Sequence, residues 1–435
     1  MFNHKFIRRL RSIAVPGLFA VAASAGLVAR PCIAHAEVPP PSNLFVIGAF
    51  YQPTYDFAAW QARGVNTMVD FNPAAQSQQV WESAVIADGL YEIRAASANP
   101  ATDINNPHLL AWSQPDEPDV NNISTATLQA TYNSLKKIDP NMPVYINFSG
   151  GDILYPGSGF TEADYQAMAK AGDWISNDIY PVTGYGRPDF IDLAETGPWN
   201  PGPVKWNGGV IEDTLRAWTN GKPQYAYVET SAEALPGVPN SRGPTPDEVR
   251  GETWDDIIHG ARGIVYFGFG FSPWSQDATA PDVSAGITKT DAEITALGGV
   301  INSGSTSNPQ RITLTNQTLE GTWRIFKGVE YYFVLNFSHS TEDDQTFSLP
   351  GVTGLKELGV YDESRNVDVS STGTITDNFS AYQLHVYTTG DVSELPSAAA
   401  PGTSAVPEPG MGSLILLTCG FLARRPRRNR TAPTV

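Results

Sequence analysis

From residue 44 onward the chain alternates short apolar runs with segments whose apolar positions recur every three or four residues. The runs are Leu44–Tyr51, Val65–Phe71, Leu90–Ala95, Leu109–Trp112, Pro143–Phe148, Trp174–Tyr180, Gln224–Val228 and Gly263–Phe269. Runs that are apolar on successive positions read as strands covered on both faces, which is the habit of a parallel sheet. Between them Phe57–Arg63, Ser77–Asp88, Ser124–Ile138, Thr161–Ala171, Gly208–Asn220 and Pro246–Ala261 predict helices, while the link after the third run is too short for one. Several starts carry caps: Ser124 precedes a periodic segment, Thr161 and Asp164 have capping-box spacing, and Thr245-Pro246-Asp247-Glu248 puts proline at the first helical position with acids behind it. Eight such units predict a (β/α)8 TIM barrel over residues 37–306. A doubly wound open sheet is the competing fold, but no glycine-rich phosphate loop follows the first run.

After Thr290 the pattern changes. A helix is expected over Asp291–Ile301, then short alternating strands at Arg311–Leu314, Thr322–Phe326, Glu330–Phe337, Gln345–Leu349, Gly354–Val360, Asn366–Val369, Thr372–Ile375 and Tyr382–Tyr387. Period-two alternation with turn residues between predicts a small all-β sandwich over 307–390. Residues 391–409 have the Pro, Ser and Ala content of a flexible linker.

The ends address the compartment. Lys5, Arg8, Arg9 and Arg11 precede an apolar stretch that closes on Ala34-His35-Ala36, so residues 1–36 read as a secretory signal peptide. At the other end, residues 406–430 hold Val406-Pro407-Glu408-Pro409, an apolar run and a cluster of arginines from Arg424 to Arg430. The apolar run is shorter than the roughly 20 residues of a membrane span. That order of features resembles the PEP-CTERM sorting signal. The resemblance implies processing by an exosortase-type machinery and delivery to the surface or extracellular matrix of a bacterium, with membrane contact only through the tail before processing. A plain anchor held by positive-inside arginines is the alternative. The only cysteines, Cys32 and Cys419, lie in the two end segments, so a trimmed body has no disulfide and no thiol chemistry. Removal of residues 1–36 and 410–435 also takes away ten basic residues and no acid, moving the net charge from −17 to −27. Such a surface repels nucleic acid and anionic lipid and suits a neutral ligand.

In a barrel of this kind chemistry sits at the C-terminal ends of the strands. The ends carry Tyr51, Asp70, Arg94, Asp116-Glu117-Pro118, Asn147, Asp178 with Tyr180, Glu229, and Trp274. Glu117 after the fourth run and Glu229 at the seventh are the candidate pair. Two carboxyls flanking a glycosidic bond can cleave it, one protonating the leaving oxygen and the other attacking the anomeric carbon or activating water. The arrangement resembles the clan A glycoside hydrolases. That resemblance implies Glu117 as general acid/base and Glu229 as nucleophile, Tyr180 as a hydrogen-bond partner of the nucleophile, and Trp274 as a floor for the sugar. Asp116, Asp178, Arg94, Tyr51 and Asn147 complete the expected substrate-binding set, and Trp199 and Trp206 are further stacking candidates. Asp116 departs from the family's asparagine, and its charge raises the pKa of a neighbouring carboxyl. The family's arginine after the second strand is missing, with Arg94 the candidate substitute. No cofactor is needed for such a reaction, no histidine pair has zinc-ligand spacing, and no nucleophile elbow is present. The expected partner is a carbohydrate. The competing expectation is a non-catalytic carbohydrate-binding or matrix protein on a retained barrel.

Overall fold

The computed structural model describes residues 41–71, 76–154, 160–185, 191–192, 204–205, 207–232, 242–271, 273–305 and 307–391. The leader, the linker beyond 391, the sorting segment, Trp199 and Trp206 lie outside them. Eight parallel strands close into a barrel in chain order: β1 Val46–Phe50, β2 Thr67–Val69, β3 Tyr91–Arg94, β4 Leu109–Ser113, β5 Val144–Ser149, β6 Trp174–Asp178, β7 Gln224–Glu229 and β8 Gly263–Phe267. Closure comes from β1 pairing with β8, Val46 opposite Gly263. Side chains alternate across each strand. Val46, Ile93, Tyr145, Trp174, Tyr225 and Val265 fill the barrel, while Ile47, Ile146, Ile175, Val228 and Ile264 face the helices. The fold is therefore a (β/α)8 barrel, and the apolar runs locate its strands because both faces of each are covered.

The α-helices of seven residues or more are α1 Phe57–Arg63, α2 Gln78–Ala87, α3 Thr125–Ile138, α4 Glu162–Met168, α5 Gly208–Trp218, α6 Pro246–His259 and α7 Pro281–Ile301, and shorter helical segments follow β3 (Pro100–Asp103), β5 (Gly150–Leu154) and β6 (Pro181–Tyr185). Ser124 accepts the Thr127 amide at 3.1 Å. Both expected capping boxes form, Thr161 with Asp164 and Thr245 with Glu248, the latter with Pro246 in the first turn. Each such cap stabilises its helix by about 1 kcal/mol. Helix α7 begins at Pro281 rather than Asp291, with Asp282 in its first turn. Gly286 and the β-branched Ile287, Thr288 and Thr290 lower the helix propensity of that stretch, and burial of Val283, Ile287 and Ile294 overrides it. Among the described residues no helix is long and apolar enough to cross a membrane.

The C-terminal region is antiparallel: β9 Leu319–Phe326, β10 Val329–Asn336, β11 Glu342–Ser348, β12 Glu357–Val360, β13 Arg365–Asp368, β14 Thr374–Phe379 and β15 Leu384–Thr388. One sheet has the order β9-β10-β15-β12-β13, and β11 pairs with β14 as a separate ribbon. The expected strand at Arg311–Leu314 is reduced to a single bridge between Arg311 and Thr322. Along β10, Tyr332 and Val334 join Phe347 of the ribbon and Ile375 and Phe379 in one cluster. The alternate residues Tyr331, Phe333 and Leu335 join Val249, Trp254 and Ile257 of α6 in another. Trp254 stacks on Phe333 with ring centroids 5.8 Å apart. From Gly251 onward helix α6 is thus covered on all sides, and its acids Glu252, Asp255 and Asp256 are buried with it. The change of pattern near residue 307 marks a change of topology, while the apolar core runs through it.

Candidate active site

Three of the ten non-glycine residues with left-handed backbone among the described residues lie at the C-terminal rim of the barrel. Tyr51 after β1, Asp70 after β2 and Glu117 after β4 have φ of 59°, 52° and 43°. Left-handed backbone at a non-glycine residue costs about 1–3 kcal/mol and gathers at functional sites. Asp70 spans β3: its amide donates to the Ile93 carbonyl at 2.7 Å, and its Oδ1 accepts from Ser113 Oγ on β4 at 2.5 Å. Asp116 Oδ1 accepts from Asn147 Nδ2 on β5 at 3.0 Å. Asn147 is buried, and its Oδ1 has no hydrogen-bond partner among the described residues. The charges of Asp70 and Asp116 both bear on Tyr51, Tyr145 and Tyr227, each held above the ordinary tyrosine value chiefly by burial. Burial pushes the Asp70 carboxyl up to about 7, the Ser113 hydrogen bond works against it, and the charge of Asp116 adds to it. Asp70 and Asp116 remain partly exposed.

Aromatic side chains make the opposite wall. Tyr180 stacks on Phe267 at 4.9 Å, and Phe267 and Phe269 lie 4.9 Å apart. Trp274 packs at 5.5 Å from Phe269 yet is 59% exposed, an open indole at the rim. Asp178 ends β6 on the strand face it shares with Trp174 and is buried.

The expected pair has different surroundings. Glu117 is 7% exposed and Glu229 is 0% exposed. Glu229 Oε1 accepts the Val182 amide and Oε2 the Thr183 amide, both at 2.6 Å, in the short helical turn Pro181–Tyr185. Glu252 of α6 lies against the same carboxyl. Burial is the main cause that takes Glu229 up to about 7, against the hydrogen bonds it accepts. Glu252 is raised well above its usual range by burial and by the charge of Glu229. Asp119 is a tether: it accepts from the Ser149 amide at 3.1 Å and from Tyr165 Oη at 3.0 Å, tying the β4 loop to β5 and α4.

Arg94 is not available to replace a sugar-binding arginine. Ile93 points into the barrel, so Arg94 points out of it. There it is 1% exposed and meets Glu92 at 3.0 Å, Glu82 at 3.0 Å and Asp103 at 3.3 Å. Strand alternation could have revealed this in advance. Asp70 ends an apolar run as plainly as Glu229 does, but it lies outside the pair of glutamates after β4 and β7 that the family resemblance singles out.

A second collection of charged groups lies between α5, α6 and the C-terminal sheet. Asp255, His259 and Glu320 bring ligand-type atoms within 4.8 Å of one another. Two of these three groups already meet the guanidinium of Arg311, Glu320 at 2.8 Å and His259 Nε2 at 2.9 Å. His259 Nδ1 bonds Asp213 at 2.7 Å, and its Nε2 meets Glu320. Burial and Arg311 oppose the imidazolium, but Glu320, Asp255 and Asp213 together take it up to about 9.

Residues 93–297 match the glycoside hydrolase 42 family model, described as beta-galactosidase. The match is a little under half of the chain. It runs from β3 into α7, takes in Glu117, Asp178, Tyr180, Glu229 and Trp274, and leaves out β1, β2 and Asp70. No curated protein matches. Among solved structures, a cyclomaltodextrinase is 8% identical with a TM-score of 0.52, over 81% of this chain and 79% of that one. A variant of AmyP in complex with maltotriose is 8% identical with a TM-score of 0.50, over 82% and 98%. At these identities the likeness is one of fold.

Proposed function

We propose that this chain is a glycoside hydrolase acting at the C-terminal mouth of its barrel. The observation that carries the reading is the convergence of Asp70, Asp116 and Asn147 on one rim with the open indole of Trp274, in a chain whose β3-to-α7 segment resembles a beta-galactosidase family model. Carboxyls able to flank a bond between sugar rings are what its cleavage requires. The strongly acidic body favours a neutral carbohydrate over an anionic one. Glu117 is the proton donor to the leaving oxygen, as its place after β4 suggests, and Glu229 is the second carboxyl by the same resemblance. The leader and the PEP-CTERM-like tail belong to this reading, as does a sandwich arrangement of the C-terminal sheet and ribbon: the protein is exported, sorted to the surface, and works on extracellular saccharide.

The sealed position of Glu229 favours a second reading, a barrel that binds carbohydrate without cleaving it. The two are separated by assaying wild type and Glu117→Gln on a panel of aryl glycosides and polysaccharides. Loss of a general acid is expected to lower turnover by about 10²–10⁴-fold. Equal turnover in both proteins would remove Glu117 from the reaction. Saccharide binding with no turnover by wild type would select the second reading.

A further inference from the structure

Large aromatic side chains left open to water mark surfaces that something else covers. Among the large apolar side chains of the described residues the two most exposed are both aromatic, Tyr55 at 75% and Trp274 at 59%. They sit in the loops of neighbouring strands: Tyr55 in the turn Thr54–Asp56 after β1, and Trp274 in a ribbon after β8, where it pairs with Phe271. Neither is exposed through looseness. The Tyr55 hydroxyl donates to Gln276 Oε1 at 3.2 Å, and Gln76 accepts from the Thr54 amide at 3.2 Å. Gln276, two residues beyond Trp274, is fixed in turn. Its Nε2 donates to the Tyr51 carbonyl at 3.2 Å, and its own carbonyl accepts from Gln52 Nε2 at 2.8 Å. Asp277 then meets Arg63 of α1 at 2.6 Å, and the Ala278 amide donates to the Gly268 carbonyl at 2.6 Å. A hydrogen-bonded frame thus holds both rings out in water.

This ledge is continuous with the mouth. Trp274 lies 5.5 Å from Phe269, and Phe269 lies 6.0 Å from Tyr51, on which the charges of Asp70 and Asp116 bear. An aromatic line therefore runs from the acidic rim outward over β1 and β8, and Gln276 links its end to Tyr55. A sugar ring offers an apolar C–H face with hydroxyls around its edge. An open indole or phenol suits the face, and Tyr55 Oη keeps lone pairs to accept from a hydroxyl. Gln276 and the Arg63–Asp277 pair interrupt the apolar surface beside the two rings, which suits a ligand of ring width better than a broad protein interface. Because the frame is already formed, little ordering is lost on binding. We infer that Tyr55 and Trp274 form a subsite for a further ring of an oligo- or polysaccharide, beyond the ring at which the chain is cut. The inference rests on the glycosidase reading and narrows its substrate to a chain of sugars.

The test compares the full-length wild type with Tyr55→Ala on an aryl monoglycoside that wild type cleaves and on oligosaccharides of the same sugar in increasing length. Tyr55 is exposed, so the variant is expected to fold, which its melting curve checks. The ratio of kcat/KM on the longer chains to that on the aryl monoglycoside is expected to fall about 2–10-fold, through KM. Tyr55→Phe keeps the ring and is expected to lose less. Retardation in native gels cast with soluble galactan, xylan or starch reads binding without turnover: at least one of them is expected to slow wild type, and to slow Tyr55→Ala less. A ratio and a retardation both unchanged in Tyr55→Ala overturn the inference while the glycosidase reading stands. If wild type turns over no glycoside, weaker retardation of Tyr55→Ala still upholds the saccharide ledge, and equal retardation or none overturns it. Sedimentation of wild type as a dimer that Tyr55→Ala splits into monomers also overturns it, and gives the two rings to a second copy of the chain.

Discussion

The barrel mouth and the seam beneath the C-terminal sheet both withdraw acids from water, but they compensate them differently. At the seam the buried Asp255 and Glu320, with the exposed Asp213 at its edge, are met by His259 and Arg311. At the mouth Asp70 and Asp116 are met by each other and by hydroxyls and an amide. An acid that is buried and paired with a cation holds a structure together; an acid that is poorly hydrated and faced by another acid is free to exchange a proton. Density of titratable groups alone would have picked the seam, which has the composition of a metal site but whose Glu320 and His259 already meet a guanidinium.

This contrast can be broken most forcefully at the seam. His259→Ala leaves buried carboxylates without their imidazolium and is expected to cost about 3–5 kcal/mol. Urea unfolding measures it, and a change of less than half a kcal/mol would show that Arg311 alone balances the cluster. Next in size is Glu229. Glu229→Ala strips the Val182 and Thr183 amides of their acceptor, at about 1–3 kcal/mol for each group left unpaired. Glu229→Gln keeps one acceptor oxygen and is expected to lose less; equal losses in the two variants would mean the amides are not what the carboxylate stabilises.

A further effect is spread over pH. Asp70, Glu92, Asp119 and Glu229 are all raised to about 7, so between about 4 and 7 the folded chain binds more protons than the unfolded one. Their contribution is full below that window and declines as pH rises through it. His259 acts in the same sense, its contribution falling away as pH approaches about 9. Asp103, Asp213, Glu363 and Asp377 are held below their usual values and lose their contribution only as pH drops below about 4. Melting temperature is therefore expected to peak in mildly acidic solution and decline toward pH 9. A flat profile on the alkaline side would mean the mouth acids are better hydrated than their geometry suggests.

The barrel was legible because each of its strands is covered on both faces and so appears as an uninterrupted apolar run. The capping boxes at Thr161 and Thr245 were legible because they are local chemistry. The antiparallel strands were visible through alternation, apart from Arg311–Leu314, where Arg311 serves the seam and the pairing shrinks to one bridge. Helix α6 hid its surroundings: its many acids suggest a solvated face, and only the tertiary structure shows that sheet covering it. The site was legible as a rim and not as a set of roles. Strand order placed Glu117, Asp116, Asn147, Tyr51, Tyr180, Asp178 and Trp274 at the mouth, but which way a terminal side chain turns depends on neighbours far along the chain. Glu229 is captured by amides some 47 positions away, and Arg94 by acids on the outer face.

Helix α6 stands as a shared wall, one flank on β7 and β8 and the other on Phe333 and its neighbours. A shortened chain ending at Ile301 would leave Val249, Trp254 and Ile257 facing water and the seam acids without Arg311. The smallest piece of this protein that can be expected to fold is therefore the barrel together with the strands that follow it.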